Sequence, residues 1–323
     1  MSDEQVAGAG VDRIDIEVTT ACNLGCAACP RTVAVGRGAP ATVHMRLARF
    51  RRILENLPPA RVLQFDGAGE PTLHPDFPAF VAAARATAKF GVIGVTTNGL
   101  ARDPSYFMGL AAAGLRRATI SVDTFDPAAA ARLRAGTDVD RLARAVTEIA
   151  RSIEITTAKL CISRLNSDAI TATLARLAQT GVRAIEVVPV QAHHPDHAAW
   201  CLDDAARASL VARLAAFGPT LGKIGLFGAP ALQPAGGRCA LPERVLTVTV
   251  EGSRSPADRT GTTRPSDAST SPSAPSRPGD PIRPWRPGSM PIAPPPPRPA
   301  TAAVSIRPSI RRRLRRSIRP RRR

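Results

Sequence analysis

No uninterrupted apolar run in these 323 residues approaches the 18 or so that a membrane-spanning helix needs. The opening decapeptide, MSDEQVAGAG, has neither a basic flank nor an apolar stretch, so it does not read as a secretory signal. Heptads, Gly-X-Y triplets and longer internal repeats are also missing, which excludes coiled coil, collagen and solenoid architectures. The expected compartment is therefore the cytoplasm, with no membrane association. In that reducing setting six cysteines serve as ligands or core residues rather than as disulfides.

Lysine is absent after residue 251, and so is almost every acid. Residues 252–323 hold 17 Arg, three Asp and 16 of the 31 prolines, whereas residues 1–251 hold 27 basic and 23 acidic residues. The formal charge of +18 is thus mostly a property of the last 72 residues. That segment has too few large apolar residues to offset its own ordering entropy, and the expectation is a disordered Arg/Pro/Ser-rich tail. Its charge fits an arm for nucleic acid or an acidic surface. Yet it has one aromatic residue, Trp285, and no stacking platform, so nucleic acid is not the expected partner. A shifted reading frame in a GC-rich gene accounts for such a composition more directly.

The first 251 residues alternate regularly. β-branched runs at Arg13–Thr19, Val62–Asp66, Gly91–Thr97, Ala118–Asp123, Ile153–Ile162 and Ala184–Pro189 predict strands. Helical patterns intervene at Met45–Leu57, Phe77–Phe90, Tyr106–Ala113, Asp140–Ile149 and Ala169–Thr180. In the fourth of these, Leu142, Ala145, Val146 and Ile149 share one face. Gly91, Gly114 and Gly181 stand where helix C-caps belong. Serial β-then-α units predict a parallel sheet with helical crossovers, either doubly wound or closed towards a barrel. Polar clusters follow the first four strands, and in parallel α/β folds such clusters meet at the strands' carboxyl ends.

The first cluster is Cys22-Asn23-Leu24-Gly25-Cys26-Ala27-Ala28-Cys29, three thiols in eight residues. An iron–sulfur cluster, a zinc ion and unliganded cysteines all remain open on spacing alone. The others are Gly67-Ala68-Gly69-Glu70-Pro71, Thr97-Asn98-Gly99 and Ser121-x-Asp123, each by itself a common turn sequence.

Together, in this order and after successive strands, these motifs resemble those of the radical S-adenosylmethionine (SAM) superfamily, over about residues 11–251. The resemblance implies a partial (β/α)6 TIM-like barrel core (11–200). In it Cys22, Cys26 and Cys29 hold a [4Fe–4S] cluster, and SAM is contacted by Gly67, Gly69, Glu70, Asn98, Ser121 and Asp123. The strand Glu186-Val187-Val188-Pro189 would line the adenine. It further implies reductive cleavage of SAM to a 5′-deoxyadenosyl radical and hydrogen abstraction from a peptide or small-molecule substrate. The electron would come from a low-potential donor such as flavodoxin or ferredoxin. The residue before the third cysteine, often aromatic in that family, is Ala28 here.

Cys239, followed by a strand-like Val245–Val250 and Gly252, resembles the opening of a SPASM/twitch auxiliary-cluster extension, read here as 201–251. No cysteine follows it, so the extension reads as incomplete and a second cluster is doubtful. Cys161 reads as a small core residue, and Cys201 beside His193, His194 and His197 as a loop cysteine. The alternative for the whole chain is a catalytically silent iron–sulfur or zinc protein whose basic tail binds nucleic acid.

Overall fold

In the computed structural model, which describes residues 11–192, 195–228 and 245–256, the β-branched runs form the middle of one nine-stranded sheet. Its first six strands in chain order are β1 (Arg13–Ile16), β3 (Ala60–Phe65), β4 (Phe90–Thr97), β5 (Arg117–Ser121), β7 (Ile155–Ile162) and β8 (Ala184–Pro189). They lie side by side in that sequence, all parallel. A doubly wound sheet reverses its order at a switch point; this one never does, so it has the order of a partial (β/α)6 barrel.

Helices complete the crossovers: α2 (Leu47–Glu55), α3 (Phe77–Ala86), α4 (Tyr106–Ala113), α6 (Val139–Ser152) and α7 (Ile170–Ala178). Three more were not legible in the sequence: α1 (Pro30–Gly36), α5 (Pro127–Leu133) and α8 (Asp204–Phe217). The apolar face foreseen on α6 is the buried one, with Leu142, Val146 and Ile149 fully covered. Burying each contributes about 1.5–3 kcal/mol before entropy is counted. Asp138 starts this helix, its carboxylate accepting from the N–H groups of Asp140 and Arg141 at 3.0 and 2.9 Å.

The strands divide their side chains by parity. Ile14, Ile16, Leu63, Phe65, Ile120 and Leu160 point to the helix side and are wholly buried. Asp15, Gln64, Gly94 and Arg117, linked in register from strand to strand, occupy the opposite inner face, as do Ser121, Lys159 and Glu186. The sheet therefore packs one face against helices and presents a polar interior on the other. Two short edges extend it. β9 (Gly225–Phe227) adds beside β8, and β10 (Val245–Val248) adds parallel to β1, with β11 (Arg254–Pro256) folded back on β10.

Three local readings need correction. Gly114 and Gly181 take positive φ after their helices, at 117° and 85°. Gly91 does not: α3 stops at Ala86, Ala88 itself adopts φ 52°, and Gly91 already lies in β4. Its bare Cα faces the Arg61 carbonyl oxygen, which a Cβ would approach to 3.1 Å. Cys161 is not a core residue either. Strand alternation sends its neighbours Leu160 and Ile162 into the core and leaves Cys161 half-buried on the inner face. The span read as a tail from residue 252 still pairs at Arg254–Pro256; residues 257–323, Cys239, His193 and His194 lie outside the described residues.

Candidate functional site

The cysteine loop leaves β1 through Thr19, whose hydroxyl meets His44 Nδ1 at 2.9 Å and accepts from the Ala21 N–H at 3.0 Å. Cys26 sits on a two-residue strand, β2 (Gly25–Cys26), paired antiparallel with β6 (Arg134–Ala135). Cys29 is the residue before α1; its N–H reaches the Cys26 carbonyl at 3.2 Å. Arg31, in the first turn of α1, donates from Nε to the Thr20 carbonyl and from Nη2 to that of Ala41 at 2.9 Å. The loop is thus anchored at both ends, with three free, half-buried thiols.

The glycine-rich run lies directly against this loop. A Cβ on Gly69 would come within 2.3 Å of the Thr19 carbonyl oxygen and 2.7 Å of that of Ala21. A Cβ on Gly67 would meet Glu17 Cγ at 2.6 Å. In this structure, then, the two glycines make room for Glu17, just past β1, and for the cysteine loop. Glu17, which sequence reasoning missed, accepts from the Ala68 N–H at 2.8 Å and the Val250 N–H at 3.0 Å.

Glu70 is the buried hub. Its N–H donates to the Ala21 carbonyl at 2.7 Å. Oε1 accepts from the Thr72 and Thr97 hydroxyls at 2.7 and 2.8 Å, and Oε2 accepts from the Asn98 N–H at 2.6 Å. Burial pushes its pKa above the usual carboxylate range, against the pull of these donors. Among the described residues Oε2 has one partner and keeps a lone pair for another donor. Asn98 then closes the circuit: its Nδ2 donates to Asn23 Oδ1 at 2.8 Å and lies 4.0 Å from Cys22 Sγ.

The fourth motif reaches the loop through a residue that no motif announced, Arg134. This side chain is 4% exposed, donates to the Ser121 carbonyl and stands 3.9 Å from Asp123 Oδ2. Burial pulls its pKa down, but Asp123 and the Cys26 and Cys161 thiols hold it above the usual value. Burial likewise lifts the Cys26 thiol to about 11, with Arg134 drawing it back, and the Cys161 thiol to about 12. Asp123 Oδ1 accepts from the Cys161 N–H at 2.9 Å. Cys201 takes no part here; its thiol donates to the Val190 and His197 carbonyls.

All four polar segments therefore touch at the carboxyl ends of the strands, around three thiols. Among the described residues no three His, Cys, Asp or Glu side chains gather tightly enough for a single metal ion. A set of thiols without histidine or carboxylate, spread along one loop, suits an iron–sulfur cluster, in which each thiolate meets its own iron.

Known proteins agree with this architecture. GTP 3′,8-cyclase of Chlorobaculum tepidum is 29% identical over 60% of this chain and 57% of its own length. PqqA peptide cyclase of Xanthomonas campestris is 31% identical over 54% of this chain and 46% of its own. The chain thus spans about half the length of these curated relatives. Streptococcus suis SuiB, solved with S-adenosylmethionine, has the same fold at a TM-score of 0.63 and 14% identity, over 78% of this chain and 62% of that one. No described helix is long and apolar enough to cross a membrane. The family model of the radical SAM superfamily matches residues 16–177, half of the chain and the span that carries all four motifs, and the chain belongs to that superfamily.

Proposed function

We propose that this radical SAM enzyme binds a [4Fe–4S] cluster through Cys22, Cys26 and Cys29 and acts on a peptide. The observation that carries the reading is the convergence of three free thiols with Glu70, Asn98 and the Arg134–Asp123 pair. Together the cluster and SAM supply a 5′-deoxyadenosyl radical once one electron arrives from a low-potential donor such as flavodoxin or ferredoxin.

The chain's own groups supply holding and shielding. Glu70 Oε2, with its spare lone pair, is the acceptor for the ammonium of SAM. Asn98, already bonded to Asn23, holds the Cys22 end of the loop. The half-buried Ser121 side chain, at the end of β5, and Asp123 just beyond it offer acceptors for ribose hydroxyls. Gly67 and Gly69 keep the loop after β3 seated on Glu17 and the cysteine loop, so a displaced loop would misplace Glu70. The polar interior on the other side of these residues receives the substrate. A peptide is favoured over other substrates by two likenesses, to a peptide cyclase and to SuiB, also solved with its precursor peptide SuiA.

The test is anaerobic reconstitution followed by iron, sulfide and 5′-deoxyadenosine assays. About four irons and four sulfides per chain are expected, with SAM cleavage lost in Cys26→Ala. Zinc in place of iron would overturn the reading. About eight irons would show instead that Cys161, Cys201 or Cys239 builds a second cluster.

A further inference from the structure

The segment just after α5 is built against the cysteine loop more closely than any sequence motif required. Its β6 strand pairs Arg134 with Cys26 and Ala135 with Gly25, and the Ala27 N–H donates to the Leu133 carbonyl at 3.0 Å. Gly136 then turns away at φ 95°, where a Cβ would press on Leu24 Cδ2 at 3.3 Å. The middle of the loop, Leu24 to Ala27, is thereby clasped by residues 133–136.

Within this clasp the Arg134 guanidinium is only partly satisfied. One Nη donates to the Ser121 carbonyl, but among the described residues Nε meets no hydrogen-bond criterion, Asp123 Oδ2 at 3.9 Å is too far to accept, and the neighbouring side chain is the Cys26 thiol. A buried cation with an unused donor is costly unless an anion is close. Cys26 lies across the ladder from it, and once this cysteine binds iron it is a thiolate.

We propose that Arg134 is the positioning residue for the Cys26 thiolate: its Nε–H and fixed positive charge hold the middle of the loop in place and raise the reduction potential of the cluster. The inference rests on the cluster assignment above. A cation and an N–H···S bond both favour the more negatively charged, reduced state, so they make the cluster easier to reduce.

The test compares wild type with Arg134→Met and Arg134→Lys, each reconstituted anaerobically, with iron and sulfide counted first. Redox titration followed by electron paramagnetic resonance, without SAM, then gives the midpoint potential. The expected result is a lower potential for Arg134→Met and a value nearer wild type for Arg134→Lys. Should Arg134→Met take up no iron, uptake by Arg134→Lys at an unchanged circular dichroism spectrum supports the positioning role. Failure of both variants to take up iron, with or without loss of the native spectrum, overturns it, because the conservative cation does not rescue. So does a fully loaded Arg134→Met with unchanged potential, even if SAM binding weakens, since the guanidinium then serves SAM and not the thiolate. A wild type without four irons and four sulfides refutes the cluster assignment itself and is told apart from these outcomes at the first measurement.

Discussion

Gly69 and Glu70 show how little freedom the site leaves a single residue. Because a Cβ on Gly69 would run into two backbone carbonyls, Gly69→Ala must push the cysteine loop away from β3. The expected outcome is a folded protein with reduced iron uptake, checked by comparing thermal unfolding with iron content after reconstitution. Asp15, paired with Arg13 at 2.5 Å in the barrel interior, has its pKa raised to about 6, first by burial. Between about pH 4 and pH 6 the native state therefore binds more protons than the unfolded chain, and stability falls as pH rises through that window. Asp15→Asn should flatten this slope, read from urea midpoints at several pH values. A slope as steep as the parent's would refute the assignment. These pairings were hidden at the level of sequence, where Arg13-x-Asp15 is only a polar alternation.

At the scale of elements, legibility followed period. The α6 helix and the β8 strand were readable because each repeats its pattern long enough to declare 3.6 or 2 residues per cycle. β2 and β6 are two residues each, too short to carry any period, and their pairing exists only because the fold brings residue 26 to residue 134. That is why Arg134 went unread while the cysteines beside it were plain. Gly91 misled for another reason: a glycine after a helix means a cap, but here it means a strand crossing close to Arg61. Two element-level outcomes follow. Asp138→Ala removes the acceptor for two N–H groups at the start of α6 and should lower stability, read from the midpoint of chemical denaturation. Gly136→Ala forces a side chain into positive φ against Leu24 and should cost about as much, with a further loss of iron uptake that Asp138→Ala does not show.

For the whole molecule, a parallel sheet with helical crossovers was implied by the serial β-then-α pattern, whereas the choice between barrel and doubly wound sheet needed the strand order itself. The two edges, β9 and β10–β11, were not foreseen as sheet members, although the run at Val245–Val250 read as strand-like. They define where the fold can be cut. A chain ending after Pro256 retains every described strand and should keep its unfolding temperature and iron content. One ending before Val245 loses β10, one of the two partners of β1, and should lose both in part. Equal iron uptake by the two truncations would show that β10 is dispensable.

The pairing of β1 with β10 also sets a timetable. Glu17 grips Ala68 with one oxygen and Val250 with the other, so the support beneath the cysteine loop is finished only when residue 250 has left the ribosome. At 5–20 residues per second, Cys22 is synthesised roughly ten to forty-five seconds before that moment. For that interval the loop rests on the contacts supplied by residues 31–135, without the closing bond from Val250 to Glu17. On the proposed cluster assignment, the loop gains its last support before loading only in a chain finished past residue 250.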